Sequence, residues 1–308
     1  MTVRTLAAAE ELVLAAGLEL DAVSLITSEA LGEDLGGRGV LPVGTGAGLD
    51  VTSVATIEID ATAHGAFVIR QPGTLAGLPV AAYVVATVCA AAGPFEIELR
   101  IADGTPVAVG DVVMQVDGNA RALLTAERVA LNLLTLMSGT ATATRAWVDA
   151  LDGTGTRVRD SRKTIPGLRM LQKYAVRVGG GVNHRMSLAD AALIKDNHVI
   201  AAGGVVEAFL AVRRTFPEIA VQVEVTSIAQ ARDVVSAGAI DILLDNMSAP
   251  DMAAVVSELA GRATFEASGG LTIAHAAAVA QTGVDYVAVG AITHSAPILD
   301  IALDLITE

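Results

Sequence analysis

The chain has 308 residues, with 20 Lys and Arg against 34 Asp and Glu, and a formal net charge of −14. That balance excludes a generally basic nucleic-acid-binding surface and gives no attraction to an anionic membrane, and aromatics at 3% leave little for base stacking. The charge is unevenly placed, however: between Arg157 and Lys195 nine basic residues face only two acids, Asp160 and Asp190, which marks one basic island in an acidic protein.

From the N-terminus, residues 6–35 carry Leu and Val at helical spacing with Glu and Asp on the other face, which predicts a helix. Glu10, Glu11 and Glu19 interrupt the apolar stretch where a secretory signal core would run, so a cytoplasmic protein is expected. The Gly-rich stretch 36–49 (GGRGVLPVGTGAGL) reads as a mobile loop. Strand-like runs follow at 52–59, 65–71, 94–101 and 111–117. Between the second and third lies the uncharged segment 71–95, read as a buried helix because its Ala, Gly and Pro content makes it weakly apolar for a membrane span. Its Cys89, alone in the chain, excludes an intramolecular disulfide framework and reads as a small buried residue.

A long helical segment, 121–150, introduces a different pattern. Short apolar strands end in RVRDSRK (157–163), ALIKDNH (192–198), VQVEV (221–225), DILLDN (241–246), TFEASGG (264–270) and YVAVG (286–290), with Ala/Val-rich helical stretches such as 229–238 and 249–261 between most of them. Alternating strands and helices predict a parallel sheet, and polar residues at successive strand C-termini are what a (β/α) barrel presents on its catalytic face. An open doubly wound sheet is the alternative; no GxGxxG follows the first strand.

Several residues at these strand ends have the right chemistry for an anionic ligand. Arg162 and Lys163 stand side by side in DSRKTIPG, where they serve two anionic groups or are two solvated loop charges. Arg169, Lys173 and Arg177 recur at four-residue spacing on a helix over 168–178, and at least two of them are expected on a solvated face. His184 and Arg185 follow the glycine run 179–181. Lys195 closes an apolar strand, where a lysine is either an anion clamp or a Schiff-base nucleophile. Glu224 and Asp245 end apolar strands and together suit Mg²⁺, although Asp245 alone also fits a helix N-cap. Ser268, Gly269, Gly270 and Gly290, with Thr293, His294 and Ser295, precede helices where backbone N–H groups meet phosphate oxygens.

The ordered set DSRKTIPGLRMLQKYAVRVGGGVNHRMSLADAALIKDNH, VEV, LLDNMS, FEASGG and VGAITHSAP resembles the quinolinate phosphoribosyltransferase family. GEDLGGRG, LDVTS and RQPGTLAGLPV extend the likeness over nearly the whole chain. The resemblance implies an α/β protein: an N-terminal open-faced α+β sandwich domain (residues 1–127) and a C-terminal incomplete (β/α) barrel (residues 128–308), whose tail returns to the first domain. It implies a homodimer that converts quinolinate and phosphoribosyl pyrophosphate to nicotinate mononucleotide, pyrophosphate and CO₂ with Mg²⁺. By this likeness Arg162, His184, Arg185 and Lys195 match positions that hold quinolinate, and Arg128 matches an arginine reaching the partner's site. Lys163, Glu224, Asp245, Ser268, Gly269, Gly290 and His294 match positions around phosphoribosyl pyrophosphate and its metal, Lys163, Lys195, Glu224 and Asp245 being the catalytic set. The 37–49 loop is longer than the family's usual approach to its DVTS segment, and Ser161 and Ser187 replace an expected Thr and Gly. A Schiff-base aldolase explains Lys195 but not the arginines, and an anion sensor has no use for two site carboxylates.

Overall fold

The structure, a computed structural model, describes residues 1–37 and 48–306. The long glycine-rich loop lies almost wholly outside the described residues. The chain forms two compact units, one of Met1–Thr142, Pro166–Gly179 and Ala296–Glu308, the other of Ala143–Ile165 and Gly180–Ser295. The expected cut after residue 127 falls instead after Thr142; the tail joins the first unit as the resemblance implies, and Pro166–Gly179 joins it without having been expected there.

The first unit starts with β1 (Thr2–Val3), α1 (Leu6–Ala15) and α2 (Leu20–Asp34). The single helix expected over 6–35 is therefore two, broken where Gly17 takes a φ of +72° that only glycine adopts without strain. The next segment, α3 (Val51–Thr56), is a helix where β-branched residues predicted a strand over 52–59. Asp50 decides it: its carboxylate accepts from the N–H groups of Thr52 and Ser53, both at 3.1 Å, and so satisfies the helix's first free amides.

After it come β2 (Thr62–Ile69), β3 (Gly73–Thr74), α4 (Leu78–Cys89), β4 (Glu96–Leu99), β5 (Pro106–Val107), β6 (Val112–Asn119) and α5 (Ala120–Ala150). The uncharged segment is thus the helix α4, whose residues Leu78–Ala86 are all buried, which is why it carries no charge. No helix among the described residues is long and apolar enough to cross a membrane. Cys89 is buried, and that burial pushes its thiol up to about 12.

The second unit's strands follow the end of α5: β7 (Arg157–Arg159), then α6 (Arg169–Val178) of the first unit, β8 (Ala191–Ile194), α7 (Asp196–Ala202), α8 (Val205–Thr215), β9 (Ala220–Val225), α9 (Ile228–Ser236), β10 (Asp241–Asp245), α10 (Ala249–Glu258), β11 (Thr264–Ser268), a 3₁₀ turn (Ile273–His275), α11 (Ala276–Ala280), β12 (Tyr286–Ala288) and α12 (Ala291–His294). The chain ends its described part in β13 (Ile301–Ile306).

In the first unit β13 pairs antiparallel with β2, completing a five-stranded sheet of order β1-β4-β6-β2-β13. Phe67, Ile69, Ile97, Met114 and Val116 from this sheet pack with α4, with Leu123, Leu134 and Met137 of α5, and with Leu171 and Tyr174 of α6. Each such side chain, fully buried, contributes about 1.5–3 kcal/mol. The α6 stripe is a correction: only Arg177 is exposed, Arg169 is half-buried and Lys173 has no exposed surface. Leu171–Val176 are buried throughout, so a four-residue spacing carries Lys173 inside.

In the second unit six parallel strands run in the order β7-β12-β11-β10-β9-β8, with β7 and β8 left at the two edges. This is the incomplete barrel. Side chains alternate across its strands: Val223, Val225, Ile242, Leu244, Phe265, Ala267 and Val287 are buried, while Glu224, Leu243, Asp245, Glu266, Ser268 and Ala288 turn the other way, into a common cavity.

Candidate active site

That cavity measures about 430 Å³ and opens at the C-terminal ends of the strands. It brings together nine of the residues singled out from the sequence: Arg162, Lys163, His184, Arg185, Lys195, Glu224, Asp245, Ser268 and Gly290. Gly269 and His294 flank it without lining it. Arg128 lies in the first unit, exposed on α5 with its guanidinium 3.7 Å from Glu127. A more spacious hollow of about 840 Å³ lies on the first unit's sheet, but its ionisable side chains already have partners, Arg4 with Glu96 at 2.8 Å and His64 with Asp117 at 2.6 Å.

The loop after β7 is pinned at both ends. Lys163 N–H donates to Ser161 Oγ at 3.1 Å, and Thr293 Oγ1 of α12 donates to the Lys163 carbonyl at 2.8 Å. Gly290 leaves room here: a Cβ would lie 2.9 Å from Lys163 Cδ and 3.3 Å from His294 Nε2. Glycine therefore lets the lysine stem and the histidine ring pass over the start of α12. Across the cavity, Lys195 N–H donates to His198 Nδ1 at 3.0 Å, which fixes the turn from β8 into α7. The Lys195 ammonium stem is exposed, unlike the desolvated lysine a Schiff-base mechanism uses.

Two like-charged pairs face the cavity. The Arg185 guanidinium is pushed below its ordinary range by burial and then by the neighbouring Arg162 cation. Arg185 donates to the Ala191 carbonyl at 2.6 Å, yet Nε of both Arg162 and Arg185 is buried with no hydrogen-bond partner among the described residues. The two guanidinium groups line one cavity, and neighbouring cations there suit the carboxylates of a dianion. Conversely, burial and the facing Asp245 carboxylate push Glu224 above the usual carboxylate range. Asp245 ends β10 and accepts from Asn246 Nδ2 at 2.8 Å; Ser248, not Asp245, caps the following helix, so the capping alternative falls.

Asn246 was missed from the sequence. It holds a left-handed φ of +53°, uncommon outside glycine, its N–H donates to the Ser268 carbonyl at 2.9 Å, and Gly269 packs so closely that a Cβ would sit 2.2 Å from Asn246 Oδ1. The strand-end turns of β10 and β11 are thereby locked together. Also missed were Asp160, Gln222, Asp241 and Glu266, which form the cavity floor and its support. Arg159 is half-buried, donates to Glu266 at 2.7 Å and stacks on the Tyr286 ring at 3.6 Å.

The chain matches the model of the quinolinate phosphoribosyl transferase N-terminal domain over residues 50–138 and that of its C-terminal domain over residues 140–304. The chain belongs to the quinolinate phosphoribosyltransferase family. A nicotinate-nucleotide pyrophosphorylase [carboxylating] of Mycobacterium leprae is 50% identical over 261 residues, covering 84% of this chain and 92% of the relative. A quinolinate phosphoribosyltransferase [decarboxylating] of Nicotiana tabacum is 38% identical over 298 residues, covering 91% and 81%. Among solved structures, the nicotinate-nucleotide pyrophosphorylase of Francisella tularensis superposes with a TM-score of 0.84 at 34% identity, covering 93% of this chain and 96% of that one. As a quinolinate phosphoribosyltransferase family member the chain keeps the basic and acidic strand-end residues on which the sequence likeness rests. Ser161 lines the cavity, and Ser187 Oγ accepts from the Ala189 N–H at 3.1 Å, so neither substitution removes a charge from the site.

Proposed function

We propose that this protein transfers the phosphoribosyl group of phosphoribosyl pyrophosphate to quinolinate with loss of one carboxylate, yielding nicotinate mononucleotide, pyrophosphate and CO₂ for NAD biosynthesis. The observation that carries this reading is the pairing of opposites in one cavity: two neighbouring guanidinium groups, and two carboxylates of which Asp245 disfavours the charge of Glu224. The first pair suits a dianionic acid and the second a polyphosphate-bound cation.

In this reading Arg162, His184, Arg185 and Lys195 hold the two carboxylates of quinolinate and aim the ring nitrogen at the ribose carbon. The nitrogen–carbon bond forms as the carbon–oxygen bond to pyrophosphate breaks, and positive charge builds on the ribose. Glu224 and Asp245 offset that charge. Lys163, Ser268, Gly269, Gly290 and His294 grip the phosphates, Gly290 by letting Lys163 reach across it. The carboxylate beside the ring nitrogen then leaves as CO₂, and a proton takes its place on carbon.

Mg²⁺ fits the donor set. No cluster of three or more His, Cys, Asp or Glu that could cage a metal occurs among the described residues, and Mg²⁺ needs only one or two carboxylates plus substrate oxygens. When bound, it would neutralise the departing pyrophosphate, held by Glu224 and Asp245. The reading includes a cytoplasmic homodimer in which the exposed Arg128 reaches the partner's site.

The test mixes quinolinate, phosphoribosyl pyrophosphate and Mg²⁺ and follows nicotinate mononucleotide together with CO₂. Turnover that stops on chelation of Mg²⁺ and returns on its addition is expected. No product from quinolinate alongside turnover of nicotinate would overturn the assignment.

A further inference from the structure

Beneath the strand-end residues lies a second polar layer that the reaction as derived does not use. Gln222 sits two residues before Glu224 on β9 and so turns its side chain to the same interior, one layer deeper; it is 3% exposed. Its Nε2 donates to Asp241 Oδ1 at 3.0 Å and, across the interior, to Glu266 Oε2 at 2.7 Å. Both partners are carboxylates, so the amide nitrogen must face them and the amide cannot be turned round. Burial pushes both carboxyls up, but Arg159 donates to the same Glu266 oxygen at 2.7 Å and favours its ionised, accepting form.

With its nitrogen committed, Gln222 presents Oε1 to His184 Nε2 at 3.0 Å. An amide oxygen only accepts, so Nε2 must carry the hydrogen. The backbone of the same histidine is fixed independently. His184 N–H donates to Asp160 Oδ1 at 2.7 Å, and Asp160, 1% exposed, takes Asn183 Nδ2 on its other oxygen at 2.7 Å.

We propose that Gln222, suspended between Asp241 and Glu266, is a positioning residue: it accepts from His184 Nε2–H and so fixes the ring orientation, leaving Nδ1 to carry a second hydrogen when it donates to a quinolinate carboxylate. The inference rests on the reading of His184 as a quinolinate-holding residue. It gives the buried carboxylates a task at the site: they orient an amide, the amide orients a ring, and the ring meets the substrate. Gln222 itself touches no reacting atom.

The experiment uses the full-length protein with ¹⁵N-labelled histidine, the His184 signal being assigned by its loss in His184→Ala. In the parent protein Nε2 is expected to carry a hydrogen throughout, with Nδ1 gaining one only when quinolinate binds. Gln222→Met keeps the side chain's length and removes both amide functions. It is expected to give mixed tautomers and to raise KM for quinolinate about tenfold or more, the loss of a buried hydrogen bond. KM for phosphoribosyl pyrophosphate stays unchanged, which a purely structural role would not achieve. Adding Gln222→Met to His184→Ala produces no further rise, because the two act on one contact. If Gln222→Met does not fold, the parent spectrum still decides, since an Nδ1–H tautomer overturns the inference. If His184→Ala leaves KM for quinolinate unchanged, the site assignment fails and this inference with it. If His184→Ala raises that KM and Gln222→Met does not, only the role of Gln222 is overturned.

Discussion

Arg185 and Glu224 sit in one cavity under opposite constraints, each half-buried beside a residue of its own charge. A ligand of the complementary charge offsets the conflict, so the like-charged neighbours become selectivity for what binds there. Arg185→Ala is accordingly expected to raise KM for quinolinate by about one to two orders of magnitude while leaving KM for phosphoribosyl pyrophosphate within about twofold, because one charge-assisted contact is lost on one substrate only. Steady-state kinetics with each substrate varied in turn measure this, and equal losses for both would contradict the role. Individual residues at strand ends were legible in the sequence because charge there interrupts an apolar run. Gln222 and Glu266 carried the same signal at alternate positions, two before Glu224 and two before Ser268, and counting back by two along each strand finds them. Their bond to one another was not legible, since it spans β9 to β11 across the interior and skips the strand between.

At the scale of elements, sequence pattern located all six strands of the parallel sheet, and it failed where propensity and capping disagree. Val51–Thr56 has the composition of a strand, but Asp50 supplies two acceptor bonds to the first amides of a helix, and the cap prevails. Close packing between elements is equally hidden. Gly139, mid-way along α5, reads as a weak spot in a helix, yet a Cβ there would lie 2.1 Å from the Pro297 carbonyl oxygen and 2.8 Å from Ile298 Cα. Backbone is stiff at both places and neither atom can swing aside. Gly139→Ala, which by propensity alone would stabilise the helix by about 1 kcal/mol, is therefore expected to destabilise the protein by about 1–3 kcal/mol. Urea unfolding reads the sign directly, and a more stable variant would sink the packing argument.

For the whole molecule, the net charge of −14 describes the solvent face and conceals a divided basic island. Four of its nine cations, Arg162, Lys163, Arg185 and Lys195, line the cavity, whereas Arg169, Lys173 and Arg177 belong to the other unit. Sequence adjacency could not reveal that split, because the chain leaves the second unit at Pro166 and returns at Gly180. The same non-contiguity governs stability. A chain ended at Ser295 lacks β13 and leaves β2 with an unpaired edge; it is expected to associate or precipitate where the full chain does not. Size-exclusion chromatography and a thermal melt test this, and a discrete species of the parent's size and melting temperature would contradict it. The pairing of β2 with β13 also sets an order of events at the ribosome. Arg70 and Asp304, joined at 2.6 Å, stand 234 positions apart, so the first sheet keeps a vacant edge while nearly all of the parallel-strand unit is being translated. The second half of the chain must emerge before the first half can be finished, and during that interval the edge of β2 is open to a chaperone or to a neighbouring chain.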